Sequence, residues 1–321
     1  MSANYSDIEA VAVIDLAEDS ASVEGEIARA CADWGFFHLI GHGLEAALLA
    51  GMMREARTFF RAPAATKRAL SRSRDNPWGY YDRELTKNQR DKKEIFDIGP
   101  DVTGLEVDGD VFLGRTPYPK EHPDFRGTAA AYFLACEDLC LRLLAPIAGG
   151  LGVAPEHLGK AFRGAHTSFL RLNHYPTGDL LAGEAEQPAG LGIHHHTDAG
   201  AITVLMADGR PGLEVMKNGV WRPVNSLPGG LIVNIGDMAQ VWSNDAYTAP
   251  LHRVLAMETQ ERLSVAYFFN PAYSAVIEPL PTTGETPLYR AISWSEFRRR
   301  RADGDFADYG SEVQISDYRL S

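Results

Sequence analysis

Apolar residues in the first half of the chain recur mainly every three or four positions, the spacing of one helix face. This pattern predicts helices over residues 22–36, 45–60 and 124–151, with Gly35 ending the first of them. Short apolar runs predict strands at residues 12–16 and 36–40, and a third strand near residues 95–98. The remainder of the segment 72–119 is rich in Asp, Gly, Pro and Lys, and we expect irregular connections there.

From residue 166 onward the pattern changes to short apolar runs that are separated by turn residues. The predicted strands cover residues 166–173, 191–197, 201–206, 213–216, 220–223, 231–235, 239–242, 251–256 and 263–269. Turns rich in Gly, Pro, Asn and Asp lie at residues 208–212, 217–219 and 228–230. Many short strands in series favour an antiparallel double sheet. The expected fold is therefore mainly β with flanking helices around a double-stranded β-helix (jelly-roll) core.

We expect three parts in one structural unit. Residues 1–165 form a mainly helical N-terminal region that packs on the core, residues 166–285 form the jelly-roll core, and residues 286–321 form a C-terminal helix and tail. No internal repeat or low-complexity tract divides the chain further.

The 321 residues carry a formal net charge of -12, which disfavours nucleic acid as a partner because phosphate binding needs concentrated positive charge. The chain has neither a long apolar run typical of a membrane span nor the start of a signal peptide. The three cysteines, Cys31, Cys136 and Cys140, argue against a disulfide framework. We therefore expect a cytoplasmic protein with no membrane association and no obligate protein partner.

A basic cluster at residues 298–301 lies in a short helical pattern near the end of the chain. Its simplest interpretation is a solvated helix face. The alternative is a salt bridge, or a contact with a substrate carboxylate, made by a C-terminal lid.

The candidate chemistry centres on His196, Asp198 and His252. Residues two apart on a strand point to the same face, so His196 and Asp198 can bind one metal ion from one side. His252 can supply a third ligand from a strand that folds back. Two histidines and one carboxylate on one face of an octahedral ion are typical of non-haem Fe(II) oxygenases.

Arg262 and Ser264 follow on the last predicted strand and share one face of it. A guanidinium offers a planar fork that matches a carboxylate, and the hydroxyl adds one hydrogen bond. This strand is placed to anchor a dicarboxylate whose other end chelates the metal.

At these motifs the chain resembles the iron- and 2-oxoglutarate-dependent dioxygenases of the isopenicillin N synthase-like type, and the resemblance covers nearly the whole sequence. The matching motifs are Val13-Ile14-Asp15-Leu16, residues 30–37, Gly41-His42-Gly43, Phe59-Phe60, Arg171-Leu172-Asn173-His174-Tyr175-Pro176, His196-Thr197-Asp198, residues 233–237, His252-Arg253-Val254, Arg262-Leu263-Ser264 and residues 314–318.

The resemblance implies that His196, Asp198 and His252 hold Fe(II), and that Arg262 and Ser264 bind the distal carboxylate of 2-oxoglutarate. It further implies that Tyr175 and Asn173 contact this co-substrate. Such an enzyme uses O2, releases succinate and carbon dioxide, and usually hydroxylates an unactivated C–H of a small molecule. Desaturation and ring closure also occur in the family.

Three residues are candidates for substrate contact. Arg171 would bind a substrate carboxylate or, in the favoured alternative, form a structural salt bridge. His194 would reach a polar substrate or be a hydrogen-bonded histidine at the cavity rim, and Phe268 would line the core or the cavity wall. Asn234 and Asp237 are interpreted as architectural.

Two other functions stay open at this point. An oxidase of the same fold can use the same iron site without 2-oxoglutarate, because Arg262 and Ser264 could bind a substrate carboxylate instead. A non-catalytic jelly-roll binding protein would keep the fold alone, but the complete ligand set disfavours it. A Ser-His-Asp hydrolase is disfavoured because no serine lies in a nucleophile-elbow sequence.

Overall fold

The computed structural model describes residues 10–73, 76–100, 114–164, 166–182, 190–280, 286–306 and 313–320. Their helices are α1 (Ser20–Asp33), α2 (Ala46–Phe60), α3 (Ala64–Arg68), α4 (Pro123–Gly150), α5 (Glu156–Gly159), α6 (Asp237–Trp242) and α7 (Trp294–Phe306). Two 3-10 helices span Lys160–Phe162 and Ile315–Tyr318. None of the helices within these ranges is long and apolar enough to cross a membrane.

The strands are β1 (Ala12–Asp15), β2 (Phe36–Ile40), β3 (Gly79–Tyr81), β4 (Leu85–Thr86), β5 (Gln89–Arg90), β6 (Glu94–Ile98), β7 (Phe169–Tyr175), β8 (Ile193–His196), β9 (Ile202–Ala207), β10 (Leu213–Lys217), β11 (Val220–Pro223), β12 (Leu231–Ile235), β13 (His252–Val254), β14 (Arg262–Phe269), β15 (Val276–Ile277) and β16 (Ile292–Ser293). The prediction of a mainly β chain with flanking helices is confirmed.

Most strands belong to two sheets. The major sheet has the order β1-β2-β12-β9-β14-β7-β6-β3, and the minor sheet has the order β11-β10-β13-β8. Strands from the N-terminal region therefore extend the same sheet that β7, β9, β12 and β14 form. The small pairs β15-β16 and β4-β5 lie outside these two sheets.

Two apolar layers cover the two faces of the major sheet. One layer packs the sheet against the helices, chiefly α1, α2 and α4, and contains Ile27, Phe59 and Leu143. The second layer lies between the two sheets and joins residues such as Tyr175 of β7 to Val215 of β10. Burial of this apolar surface, at roughly 25 cal/mol per Å², is the main force that holds the sheets face to face.

Gly35 makes the entry into the major sheet possible. It follows α1 with a φ of +64°, and a Cβ at this position would lie 2.3 Å from the carbonyl oxygen of Thr248. Any side chain would therefore clash with backbone, in a left-handed conformation that glycine alone adopts at little cost. The predicted end of the first helix at Gly35 agrees with this geometry.

Two expectations about local structure were wrong. Residues 239–242 were predicted to be a strand but belong to α6, whose N-cap is Gly236. A run of four residues is too short for periodicity to separate a strand from a helix turn. The segment 72–119 was expected to contain one strand, yet its described residues hold four, β3 to β6. Residues 74–75 and 101–113 of that segment lie outside the described residues.

Candidate active site

Three potential metal ligands converge where the minor sheet ends. His196 ends β8, Asp198 lies two residues further on, and His252 opens β13 as the cross-strand partner of His196. The Nε2 atoms of His196 and His252 lie 3.8 and 3.7 Å from Oδ1 of Asp198. One donor atom from each residue lies within 4.8 Å of the others, so the structure brings together the three ligands that the sequence predicted.

Backbone carbonyls orient both imidazole rings. Nδ1 of His196 donates to the carbonyl oxygen of His194 at 2.8 Å, and Nδ1 of His252 donates to that of Pro250 at 3.0 Å. A carbonyl oxygen can only accept, so the proton of each neutral ring must be on Nδ1. Each Nε2 is then free of a proton and can bind a metal, which is the arrangement that metal-binding histidines usually have.

Asp198 is held by two donors on its other oxygen. Oδ2 accepts from the hydroxyl of Thr203 at 2.6 Å and from Nδ2 of Asn234 at 2.7 Å. Thr203 and Asn234 are themselves cross-strand partners on β9 and β12. Oδ1 therefore faces the two histidines. Asn234 had been interpreted as architectural, and Thr203 was not singled out; both contact a candidate ligand.

The charges of this cluster suit a cation. Burial alone would raise the pKa of Asp198, but His252, His196 and the donors on Oδ2 hold that pKa below its usual value. Burial, reinforced by the neighbouring His252, lowers the pKa of the His196 imidazole. Near neutral pH the cluster thus offers a carboxylate and a neutral imidazole, the protonation states that metal binding requires. The donor set fits Fe(II) with open coordination positions.

The four residues predicted to bind the co-substrate form two cross-strand pairs on the major sheet. Arg262 of β14 faces Tyr175 of β7, and Ser264 of β14 faces Asn173 of β7. All four are buried. All four line the cavity that His196, Asp198 and His252 also line, and its volume is about 150 Å³.

Arg262 is a buried cation whose local partners are neutral. Its side chain is 2% exposed, its Nη1 lies 3.4 Å from the hydroxyl of Ser264, and its Nε donates to the carbonyl oxygen of Arg210 at 3.4 Å. The guanidinium also lies over the ring of Tyr175, 5.1 Å from its centroid. Within the described part of the chain, Arg262 forms no ion pair with a carboxylate. A buried guanidinium in this state fits a dicarboxylate ligand, because a buried charge needs a counter-charge.

The rest of the cavity wall includes two of the three expected substrate contacts. Phe268 lines the cavity and stacks on Phe169 with ring centroids 4.8 Å apart. Arg171 also lines it, but its guanidinium is bound by Asp97 at 2.7 and 2.8 Å and by Glu84 at 3.0 Å. The structural salt bridge, the favoured alternative for Arg171, is therefore present.

His194 is buried, and its ring is hydrogen-bonded to a carboxylate. It is absent from the described residues that line the cavity, and its ring contacts Asp91 at 2.9 Å. This contact favours the alternative of a hydrogen-bonded histidine, and substrate contact by His194 stays a prediction. Sequence periodicity is local and could not show that Asp91, 103 residues away in the chain, binds this ring.

The basic cluster on α7 is partly buried. Arg301 donates to the carbonyl oxygen of Thr197 at 2.8 Å and to that of Val313 at 3.0 Å, and it lies 3.7 Å from the carboxylate of Asp237. The interpretation as a solvated helix face is wrong for Arg301, which contacts the peptide between two candidate ligands. The interpretation as a solvated helix face agrees with Arg300, which is exposed on the same helix.

Comparison with known proteins decides the family. The model of the 2OG-Fe(II) oxygenase superfamily matches residues 166–271, and that of the non-haem dioxygenase N-terminal region (in morphine synthesis) matches residues 11–122. Gibberellin 2-beta-dioxygenase 4 of Arabidopsis thaliana is 32% identical over 302 residues, covering 90% of each chain. The chain belongs to the 2-oxoglutarate- and Fe(II)-dependent oxygenase family. The predicted enzyme class, with Fe(II) as cofactor and 2-oxoglutarate and O2 as co-substrates, is thereby confirmed.

Other relatives of this oxygenase agree with that assignment. An oxoglutarate-dependent flavonoid 7-O-demethylase of Ocimum basilicum is 33% identical, with 84% of this chain and 70% of the relative covered. The crystal structure of JOX2 in complex with 2OG, Fe and JA superposes with a TM-score of 0.81 at 27% identity, covering 97% of this chain and 89% of that one. The predicted double-stranded β-helix core is the fold of these structures and is confirmed.

Proposed function

We propose that this oxygenase holds Fe(II) with His196, Asp198 and His252, and that Arg262 and Ser264 bind the distal carboxylate of 2-oxoglutarate. Tyr175 and Asn173 complete the co-substrate pocket. When bound, the metal and co-substrate supply the oxidant, and succinate and carbon dioxide are released. The substrate is a small molecule that is hydroxylated at an unactivated C–H bond.

One observation carries the proposal. Three oriented donor atoms within 4.8 Å of one another share a cavity with a buried guanidinium whose hydrogen-bond partners are neutral. The two ligand sets stand on different sheets, so a dicarboxylate can span them with one end at the metal and the other at Arg262. Asn173 also lines this cavity, and its buried Oδ1 has no hydrogen-bond partner among the described residues.

The chain's own residues position the reactants. His196 and His252 offer their Nε2 atoms to the metal because each Nδ1–H donates a hydrogen bond to a backbone carbonyl oxygen. Arg262 fixes the co-substrate's far end, which leaves its keto acid end directed at the metal. Phe169 and Phe268 form an apolar side of the cavity that excludes water from the substrate C–H.

Relatives of this oxygenase are named for gibberellin and flavonoid chemistry, which supports a small-molecule substrate. Arg171 and Phe268 stay predicted substrate contacts, since both line the cavity. A reducing compartment, the cytoplasm, is proposed because all three cysteines are buried thiols.

The test is an anaerobic titration of the Fe(II)-loaded protein with 2-oxoglutarate, followed in the visible spectrum. Bidentate chelation of the metal predicts a weak charge-transfer band that saturates with the co-substrate. Arg262→Gln should raise the 2-oxoglutarate concentration at half-saturation at least tenfold, because a charge-assisted bidentate pair of roughly 1.5–3 kcal/mol is lost. Arg300→Gln, which removes an exposed arginine of α7, is the matched control and should titrate like the wild type.

Absence of the band with iron demonstrably bound would refute the co-substrate assignment and favour an oxidase of the same fold that does not use 2-oxoglutarate. His196→Ala should abolish iron binding. Retained stoichiometric iron in that variant would refute the metal assignment.

A further inference from the structure

The strand that carries His196 lies at an edge. β8 is the last strand of the minor sheet, and within the described residues only β13 pairs with it. Its other side is bordered by the segment that joins β5 to β6. There the backbone N–H of Lys92 donates to the carbonyl oxygen of Leu191 at 2.8 Å, just before β8 begins.

Asp91 takes the place of a neighbouring strand at this edge. Its Oδ1 accepts the backbone N–H of His194 at 3.0 Å and the ring Nδ1 of the same residue at 2.9 Å. Asp91 is completely buried, so water cannot replace these bonds. A buried strand N–H without an acceptor is costly, which makes this carboxylate the group that holds the edge of β8 in place.

The same carboxylate holds part of the cavity wall. Its Oδ2 accepts from the hydroxyl of Thr86 at 2.7 Å and lies 3.5 Å from the ammonium group of Lys93. Thr86 and Lys93 both line the cavity. Lys93 in turn pairs with Glu84 at 2.6 Å, and Glu84 also lines the cavity. Asp91 thus joins the wall formed around β4 and β5 to the strand that bears a metal ligand.

The path from Asp91 to the candidate ligand is two hydrogen bonds long. Asp91 binds the backbone N–H and the ring of His194, and the carbonyl oxygen of the same residue accepts from Nδ1 of His196. Rotation or displacement of that carbonyl would turn the His196 ring and move its Nε2 away from Asp198. The three consecutive histidines therefore differ: His196 is the candidate ligand, His194 is bound by Asp91 and supports it, and His195 is exposed.

We propose that Asp91 is a positioning residue of this oxygenase. Through His194 it sets the orientation of His196, and through Thr86 and Lys93 it fixes the position of the cavity wall relative to the metal site. The proposal rests on the metal site assigned under the proposed function. Partners behind a metal-binding histidine typically change metal affinity 10- to 100-fold when removed. Asp91 acts one residue further back, so the expected loss is near the lower end of that range.

The experiment measures Mn(II) affinity from the electron paramagnetic resonance signal of the free ion, with the full chain and without turnover. Asp91→Ala should weaken Mn(II) binding about tenfold. Asp91→Asn keeps an acceptor for the His194 backbone N–H and should show an intermediate loss. Asp97→Asn is the matched control, because Asp97 is a buried carboxylate of the same ionic cluster whose ion pairs among the described residues are with Arg171 and Arg72, neither of them on β8.

Melting temperatures of the metal-free variants separate positioning from general loss of stability. Both Asp91→Ala and Asp97→Asn should melt below the wild type, but Asp97→Asn should keep wild-type Mn(II) affinity. Wild-type affinity in Asp91→Asn and in a folded Asp91→Ala would overturn the proposal, and so would an equal loss in Asp97→Asn. If Asp91→Ala does not fold, Asp91→Asn alone decides.

A parallel titration of His252→Ala tests the metal site separately from the positioning role of Asp91. Loss of Mn(II) binding in His252→Ala with unchanged affinity in the Asp91 variants would overturn only the positioning role. Unchanged binding in His252→Ala would overturn the metal site itself.

Discussion

Replacing Thr203 with Val tests how the buried carboxylate of Asp198 is stabilised. Valine has nearly the shape of threonine, so the substitution removes the hydroxyl donor to Oδ2 and creates little cavity. Oδ2 then keeps the amide of Asn234 as its remaining donor. Hydrogen bonds to charged groups contribute about 1.5–3 kcal/mol, and the metal-free protein should lose a free energy of unfolding of this size.

The corresponding fall in melting temperature follows from the chain length. At about 2.1 cal/mol/K per residue, the 321 residues give an unfolding entropy near 0.67 kcal/mol/K. The expected shift is therefore roughly 2–4.5 °C, measured by calorimetry on metal-free protein. Mn(II) affinity should fall roughly tenfold as well, since Thr203 orients the carboxylate that would bind the metal.

Thr203→Ser is the matched control because it keeps the hydroxyl and loses a methyl group. It should retain the metal affinity of the wild type. Equal melting temperatures and equal Mn(II) affinities for Thr203→Val and wild type would refute the reasoning that the hydroxyl stabilises and orients Asp198.

Three further predictions concern charged residues of the cavity. Arg262→Lys keeps the charge but loses the planar fork, so the 2-oxoglutarate concentration needed for half-maximal succinate release should rise about tenfold, while iron affinity measured by equilibrium dialysis stays unchanged. Arg301→Ala removes two hydrogen bonds to backbone carbonyls, one of them to the peptide between His196 and Asp198, and should lower Mn(II) affinity several-fold. Arg300→Ala, at an exposed position, should leave the affinity unchanged. Equal affinities for the two variants would contradict a role of Arg301 in holding that peptide. Burial alone would raise the pKa of Glu84, but the positive charges of Arg171, Lys93 and Arg72 hold this pKa well below its usual value. The folded state therefore binds fewer protons at this carboxylate than the unfolded state does. The stability that Glu84 contributes is present above a pH of about 4.3 and is lost on further acidification, and melting curves of Glu84→Gln should depend less steeply on pH in that range than those of the wild type.

The sequence predicted most of the chemistry because strand alternation is a local rule. Arg262 and Ser264 lie two apart on β14 and share a face. The same spacing brought His196 and Asp198 together, although β8 ends at His196 and Asp198 lies just beyond it. Family resemblance then indicated which faces meet. The structure adds that the predicted residues are cross-strand partners, His252 with His196 and Arg262 with Tyr175.

The residues that support the ligands could not be found in this way. Thr203 and Asn234 reach Asp198 because the register of β9 against β12 sets them side by side. Asp91 reaches His194 across 103 residues of sequence. Register and such long-range contacts depend on how the whole core packs, and no local period in the sequence encodes them. The prediction of a strand at residues 239–242 was wrong because a pattern of four residues is too short to distinguish a strand from a helix turn.

The candidate site spans two independent layers of the protein. The histidines stand on the minor sheet, at β8 and β13, while the co-substrate anchors stand on the major sheet, at β7 and β14. With the roles proposed above, iron and 2-oxoglutarate together form a tie between the sheets, in parallel with the apolar layer that contains Tyr175 and Val215. Each turnover would convert 2-oxoglutarate to succinate, so this tie would be complete again only after succinate has left and a new 2-oxoglutarate has bound. We therefore expect the sandwich to be more rigid with both bound than with either one missing.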